Sequence, residues 1–162
     1  MENPAQSPKF VYVTIIQTTP EKLWAALTAP EFTSQYFLGA TIESDWRVGS
    51  PVAYRQAGGE VSDEGTVLKC EPPRLLSYTF NHVKYEELRG EPASQVTFQI
   101  EPLDNATGGL KGKVVRLTVT HENFQPGSKL FNAISNGWPV ILSALKTVLE
   151  TGTPLDLTKM PS

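Results

Sequence analysis

Residues 136–152 read NGWPVILSALKTVLETG, and whether they form one helix decides the fold. From Leu130 onward the apolar positions Leu130, Ile134, Trp138, Ile141 or Leu142, Leu145 and Leu149 step by three or four. That is the spacing of one helical face. Gly152 and Pro154 end the pattern. Gly137 and Pro139 oppose it. A proline in a helix interior removes a backbone bond and costs about 3 kcal/mol or more; glycine costs roughly 1 kcal/mol relative to alanine. Two readings accommodate them. Asn136 could cap a new helix, placing Gly137, Trp138 and Pro139 in a first turn whose N–H groups have no partner anyway. Or one helix runs from about 127 to 151 and bends at the proline, freeing the Ser135 carbonyl. The apolar stripe passes through Ile134 and Trp138 without a phase break, which favours the continuous, bent helix with its indole swung inward.

Working back from this helix, the period changes to two. Strands are expected near 39–46, 51–57, 64–71, 74–82, 94–102 and 112–123, separated by turn formers such as Gly58-Gly59 and Pro72-Pro73. Residues 9–17, KFVYVTIIQ, read as a further strand. Thr19-Pro20-Glu21 starts a helix that stops near Pro30: Thr19 caps, Pro20 takes the first position, and Glu21 meets the positive end of the dipole. A second short helix covers 31–37. The order is one strand, two short helices, six strands and one long helix. Short strands joined by short turns imply an antiparallel meander, whose apolar face only the last helix is long enough to cover. The expected organisation is a loose tail over 1–8, one domain over 9–152 and a second tail over 153–162.

The 162 residues suffice for a buried core. A net charge of −3 argues against a surface built on phosphate contacts, so no nucleic-acid partner is expected. No apolar run approaches the roughly 18 residues of a membrane span, and MENPAQSPKF has no apolar signal core. With Cys70 as the single cysteine, the expected compartment is the cytoplasm. Neither His82 nor His121 has a second His or Cys at metal-ligand spacing, so no metal site and no cofactor are expected. The sequon at 105–107 is then a chance match, and the Gly-rich stretch 108–112 reads as a hairpin tip, since it lacks the Gly-Lys-Ser/Thr of a phosphate loop. In the turn at 45–49, Gly49 supplies a positive-φ position and Asp45 with Arg47 suggests a surface ion pair.

Several stretches carry a family resemblance. IIQTTPEKLWAALTAPE resembles the opening of the START-like (Bet v 1-like, SRPBCC) superfamily. SDWRVGSPVAY, EGTVLKCEPPRLLSYTF and the closing NGWPVILSALKTVLETG resemble its branch named for the activator of heat shock protein 90 ATPase homologue. Together they span about residues 10–152. The resemblance implies an α+β helix-grip fold, a curved seven-stranded antiparallel sheet around a long C-terminal helix. It also implies a cavity for a small hydrophobic or amphipathic molecule, without implying catalysis. The chaperone activator has a further N-terminal domain that engages the chaperone. This chain shows one domain, so a co-chaperone role is not the first expectation; a chaperone partner and a stress-response interaction module remain alternatives. The sheet edges give a monomer or weak dimer as the expected state.

Alternation places Ile42, Ser44 and Trp46 on one face, with Leu76, Tyr78 and Phe80, Val96, Phe98 and Ile100, and Val115, Leu117 and Val119 as further inward rows. Most of these read as core. Tyr36, Phe37, Tyr54, Tyr78, Phe98, Trp138 and Ile141 are the residues expected nearest a ligand cavity, since aromatic walls with a polar tip suit an amphipathic guest. The other reading is an enzyme of the cyclase, aromatase or hydrolase kind. Its polar candidates are Arg55, Tyr54, Tyr78 and His121, the last as a general base at the cavity mouth. His82, beside Glu86 and Glu87, reads as part of a wet loop.

Overall fold

A computed structural model describes residues 7–103 and 113–156. Strand β1 (Phe10–Ile16) leads into α1 (Pro20–Thr28) and α2 (Pro30–Tyr36). Then follow β2 (Thr41–Glu43), β3 (Pro51–Arg55), β4 (Val61–Glu71), β5 (Leu75–His82), β6 (Ser94–Pro102) and β7 (Val115–Glu122), and α3 (Lys129–Thr151) closes the chain. The strands form one curved sheet in the order β1-β7-β6-β5-β4-β3-β2, every pair antiparallel. This is the α+β helix-grip architecture. The strands from β2 to β7 are a plain meander, and β1 adds itself to the far edge beside β7.

The inward rows Leu76, Tyr78, Phe80, then Val96, Phe98, Ile100, then Val115, Leu117, Val119 are all buried. They share one core with Trp138, Leu142, Leu145 and Val148 of α3. Packing of this kind, at roughly 25 cal/mol per Å² of apolar surface removed from water, is what holds the helix on the sheet. Thr19 caps α1 by accepting from the Lys22 amide (3.1 Å). One residue, Ala29, ends α1 and begins α2. In α2, the Thr33 hydroxyl accepts the Ile42 amide (3.0 Å), tying the short helices to β2.

Helix α3 runs unbroken through Pro139, so Asn136 caps nothing. The N-cap is Ser128, whose hydroxyl accepts from the Phe131 amide (2.9 Å). A second cap comes from outside the helix. Glu91 accepts the Ser128 hydroxyl at one carboxylate oxygen (2.5 Å) and the Lys129 and Leu130 amides at the other (3.1 and 3.3 Å). A carboxylate on first-turn amides is favoured by both orphan donors and the helix dipole. Hydroxyls flank the proline on its own stripe: Ser135 donates to the Phe131 carbonyl and Ser143 to that of Pro139, both at 2.7 Å.

Four details differ from the alternation pattern. Strand β2 ends at Glu43, short of Trp46. Trp46 adopts a left-handed φ of 54°, outside any strand, and its indole donates to the Thr28 carbonyl (2.8 Å). Strand β4 starts at Val61 and takes in Ser62 and Asp63, which the spacing assigns to a turn. Asp45 and Arg47 form no ion pair among the described residues, whereas Gly49 does hold a positive φ of 91°. Pro72 and Pro73 are joined by a cis bond in the β4–β5 turn, which Glu71 and Arg74 bridge. The hairpin tip and sequon at 105–112 lie outside the described residues, as do most of both tails.

Gly65 marks a close approach inside the sheet. A Cβ there would stand 1.7 Å from the Thr79 carbonyl oxygen of β5. Only glycine lets the two backbones come this near.

Candidate functional site

A pocket of about 330 Å³ lies between the first half of α3 and the β3–β4–β5 side of the sheet. Leu130, Ala133, Ile134, Gly137, Trp138 and Ile141 form the helix wall. Phe37, Tyr54, Phe80 and His121 line the opposite side, and Tyr85 and Leu88 of the β5–β6 loop also border it. Asp63 and His82 supply a polar end.

The sheet register explains that polar end. Tyr54 of β3 lies opposite Asp63 of β4, which lies opposite His82 of β5. The three side chains form one cross-strand row. His82 Nδ1 and Asp63 are 2.7 Å apart, and His82 Nε2 accepts the Tyr85 amide (3.0 Å). Nε2 being an acceptor, Nδ1 carries the proton and donates it to the carboxylate. Ser62 donates to the other Asp63 oxygen (2.7 Å) and in turn accepts from the Gln56 amide group (2.7 Å). Burial raises the Asp63 pKa, and the Ser62 and His82 hydrogen bonds oppose that rise. The wet-loop reading of His82 is therefore wrong: its side chain is 9% exposed.

His121 is fully buried in the wall rather than at a mouth. Its Nδ1 accepts the Trp138 indole N–H (3.1 Å), so Nε2 carries the proton and donates to the Ser94 hydroxyl (2.8 Å). That hydroxyl passes its own proton to the Phe80 carbonyl (3.3 Å). A serine activated by histidine needs the reverse, an unprotonated nitrogen facing the hydroxyl. The Trp138–His121–Ser94 chain is therefore a closed structural network, and the general-base assignment of His121 falls with it.

Burial also lowers the His121 pKa, to about 3. A lowered histidine value means that the unfolded chain takes up the proton first. Stability is full above the ordinary value of 6.5 and declines as pH falls towards 3. The slope approaches about 1.4 kcal/mol per pH unit. Asp63, shifted upward, works in the opposite sense and softens the decline only in more acid solution. The urea midpoint is thus expected to drop between about pH 6.5 and 5, and to drop less in His121→Gln. Equal midpoints at both pH values would contradict a neutral buried imidazole.

Of the residues expected nearest a cavity, Phe37, Tyr54, Trp138 and Ile141 line this pocket. Tyr36, Tyr78 and Phe98 do not. They border a void of about 10 Å³ deeper in the core, with Phe37 and Trp138 shared between the two, and such a space holds one water at most. Tyr36 donates its hydroxyl to the Ala26 carbonyl (2.7 Å), and the Tyr78 hydroxyl is hydrogen-bonded to the Tyr54 hydroxyl (2.5 Å). Burial raises the pKa of all three tyrosines. Arg55 points outward to Glu43 and the Gly59 carbonyl (3.2 and 2.8 Å), so it takes no part in cavity chemistry. Sequence reading missed Asp63, His82 and Gly137. Extending the inward row Leu76, Tyr78, Phe80 by one step reaches His82, and the row Leu117, Val119 likewise reaches His121. Gly137 is the helix breaker itself: a Cβ there meets nothing within 4 Å, because it opens onto the pocket.

No helix among the described residues is long and apolar enough to cross a membrane, and no group of three metal-ligating side chains converges there. No curated protein matches the chain. Solved structures do. A Mesorhizobium loti protein is 27% identical with a TM-score of 0.70, over 88% of this chain and 96% of that one. The Aha1 dimer from Colwellia psychrerythraea is 21% identical at 0.67, over 90% and 98%. An HSP90 activator from Plasmodium falciparum is 20% identical at 0.66, over 87% and 95%. The last two establish likeness of fold alone. The model of the Activator of Hsp90 ATPase homolog 1-like proteins matches residues 17–150, and the chain belongs to that family.

Proposed function

We propose that the protein binds a small hydrophobic or amphipathic molecule in the pocket between sheet and α3, and does no chemistry on it. The observation that carries this reading is the pocket's make-up. Its walls are apolar and aromatic apart from one polar end, and its volume of about 330 Å³ falls within the range of small-molecule sites, roughly 300–1,000 Å³. The non-catalytic part is supported by the two histidines of the wall, whose four ring nitrogens are all committed to protein partners.

Gly137 supplies the test. Gly137→Ala adds a methyl group in open space and improves helix propensity, so it should stabilise the protein by about 0.5–1 kcal/mol and still bind the neutral probe N-phenyl-1-naphthylamine. Gly137→Leu should fold and lose most of the probe's fluorescence enhancement, because the side chain occupies the pocket. Equal enhancement by the two variants would remove this pocket as the binding site.

A chaperone-directed role is the second reading. It is supported by the family description and by the solved structure named an HSP90 activator. Stimulation of a chaperone ATPase that survives Gly137→Leu would favour it over the pocket.

A further inference from the structure

The pocket lining contains one ionisable group that is not a histidine or tyrosine, the carboxylic acid Asp63, and it contains no lysine or arginine. The histidines and Asp63 can each be followed to their partners. Both nitrogens of His82 are engaged, and so are both nitrogens of His121. None of them has a proton left for a guest. The Tyr54 and Tyr78 hydroxyls share one hydrogen bond, which uses one of their two protons. Asp63 differs. Each of its oxygens receives one hydrogen bond, from His82 and from Ser62, whereas a carboxylate oxygen can accept two. Asp63 therefore brings unspent acceptor capacity to the polar end, together with a buried negative charge.

Lysine and arginine near this end are engaged elsewhere. Lys84 lies over the outer Tyr85 ring, 5.2 Å from its centroid, and pairs with Glu60 at 3.6 Å. Lys129 and Arg89 border a separate polar hollow that also contains Glu87 and Glu91. No lysine or arginine lines the pocket to neutralise an anion there.

Building on the binding function proposed above, we propose that the pocket selects amphiphiles whose polar end is a hydrogen-bond donor, a hydroxyl or an amine, and excludes those ending in a carboxylate. The apolar body lies along Ile134, Trp138 and Ile141, and the donor meets Asp63. A carboxylate in that position would face a like charge in a poorly solvated space, and such an arrangement disfavours binding strongly. Selection in this pocket thus acts on the guest's head group as well as on its size.

Three guests with one chain length separate these effects: octanol, octylamine and octanoate, each competing with N-phenyl-1-naphthylamine at neutral pH. The decisive comparison is octylamine with octanoate, since both lose a charged hydration shell on entry. Octylamine is expected to displace the probe at a concentration at least tenfold lower than octanoate, and octanol likewise. In Asp63→Asn, octylamine should weaken about tenfold and octanoate should gain, with octanol little changed. Octanoate binding as well as octylamine to the unmodified protein would overturn the selectivity, whatever the variant's stability. Should the probe bind and be blocked by Gly137→Leu in that case, the pocket itself would stand. Failure of the probe to bind at all would remove both.

Discussion

Trp138→Ala is expected to lower the unfolding free energy by about 3–5 kcal/mol, the usual cost of deleting a buried large aromatic side chain. Trp138 is 4% exposed and stands edge-on to Phe37 and Phe98 at centroid distances of 5.9 and 6.0 Å. Those contacts and the cavity left behind account for most of the loss. The remainder is polar: His121 Nδ1 loses its donor while fully buried, and an unsatisfied buried acceptor costs about 1–3 kcal/mol. Trp138→Phe separates the two contributions, because it keeps most of the ring volume and removes the indole N–H. Its cost should lie near the polar figure alone. Urea unfolding of the two variants checks this. A loss below about 1 kcal/mol for Trp138→Phe would mean that the indole bond does not hold His121 in place.

Gly65→Ala should be at least as damaging, about 3 kcal/mol or more, and the protein could fail to fold. Added methyl groups in a packed interior typically cost about 1–3 kcal/mol when side chains can move aside. Here they cannot. The new Cβ would stand 1.7 Å from the Thr79 carbonyl oxygen and 2.7 Å from its carbon, and these are backbone atoms of the neighbouring strand. Relief requires β4 and β5 to separate just where the Thr66 amide bonds the Thr79 hydroxyl (2.9 Å). Asp63 lies two residues away on the same strand, so its alignment with His82 would be lost as well. Thermal unfolding and near-ultraviolet circular dichroism report both effects. A variant within about 1 kcal/mol of the parent would show that the strands accommodate a methyl group after all.

Much of this architecture was legible in the sequence because its rows are regular. The stripe through Ile134, Trp138 and Leu145 favours a single long helix despite Pro139, and the alternation of β5, β6 and β7 points to their inward faces. What escaped was wherever the regularity breaks. Trp46 leaves its strand through a left-handed turn, and Asp63 follows an equally buried Ser62, so neither obeys a two-residue period. Of the aromatic residues, Tyr36 and Phe37 are neighbours in sequence, but only Phe37 reaches the pocket. The difference depends on the Tyr36 hydroxyl finding the Ala26 carbonyl across the α1–α2 corner, a distance that no spacing rule supplies. From helix propensity alone Gly137 is a cost. Its benefit, open space, is visible only once the facing strands are in place.

Glu91 joins two parts of the pocket that the chain keeps far apart. It sits at the end of the loop whose Tyr85 and Leu88 line the pocket, and it holds the first amides of the helix that forms the wall. A displacement of that loop large enough to carry Glu91 away would leave the Ser128 hydroxyl and the Lys129 and Leu130 amides without their carboxylate at the same moment. The order of the loop and the order of the first turn of α3 are thereby tied to each other through one side chain.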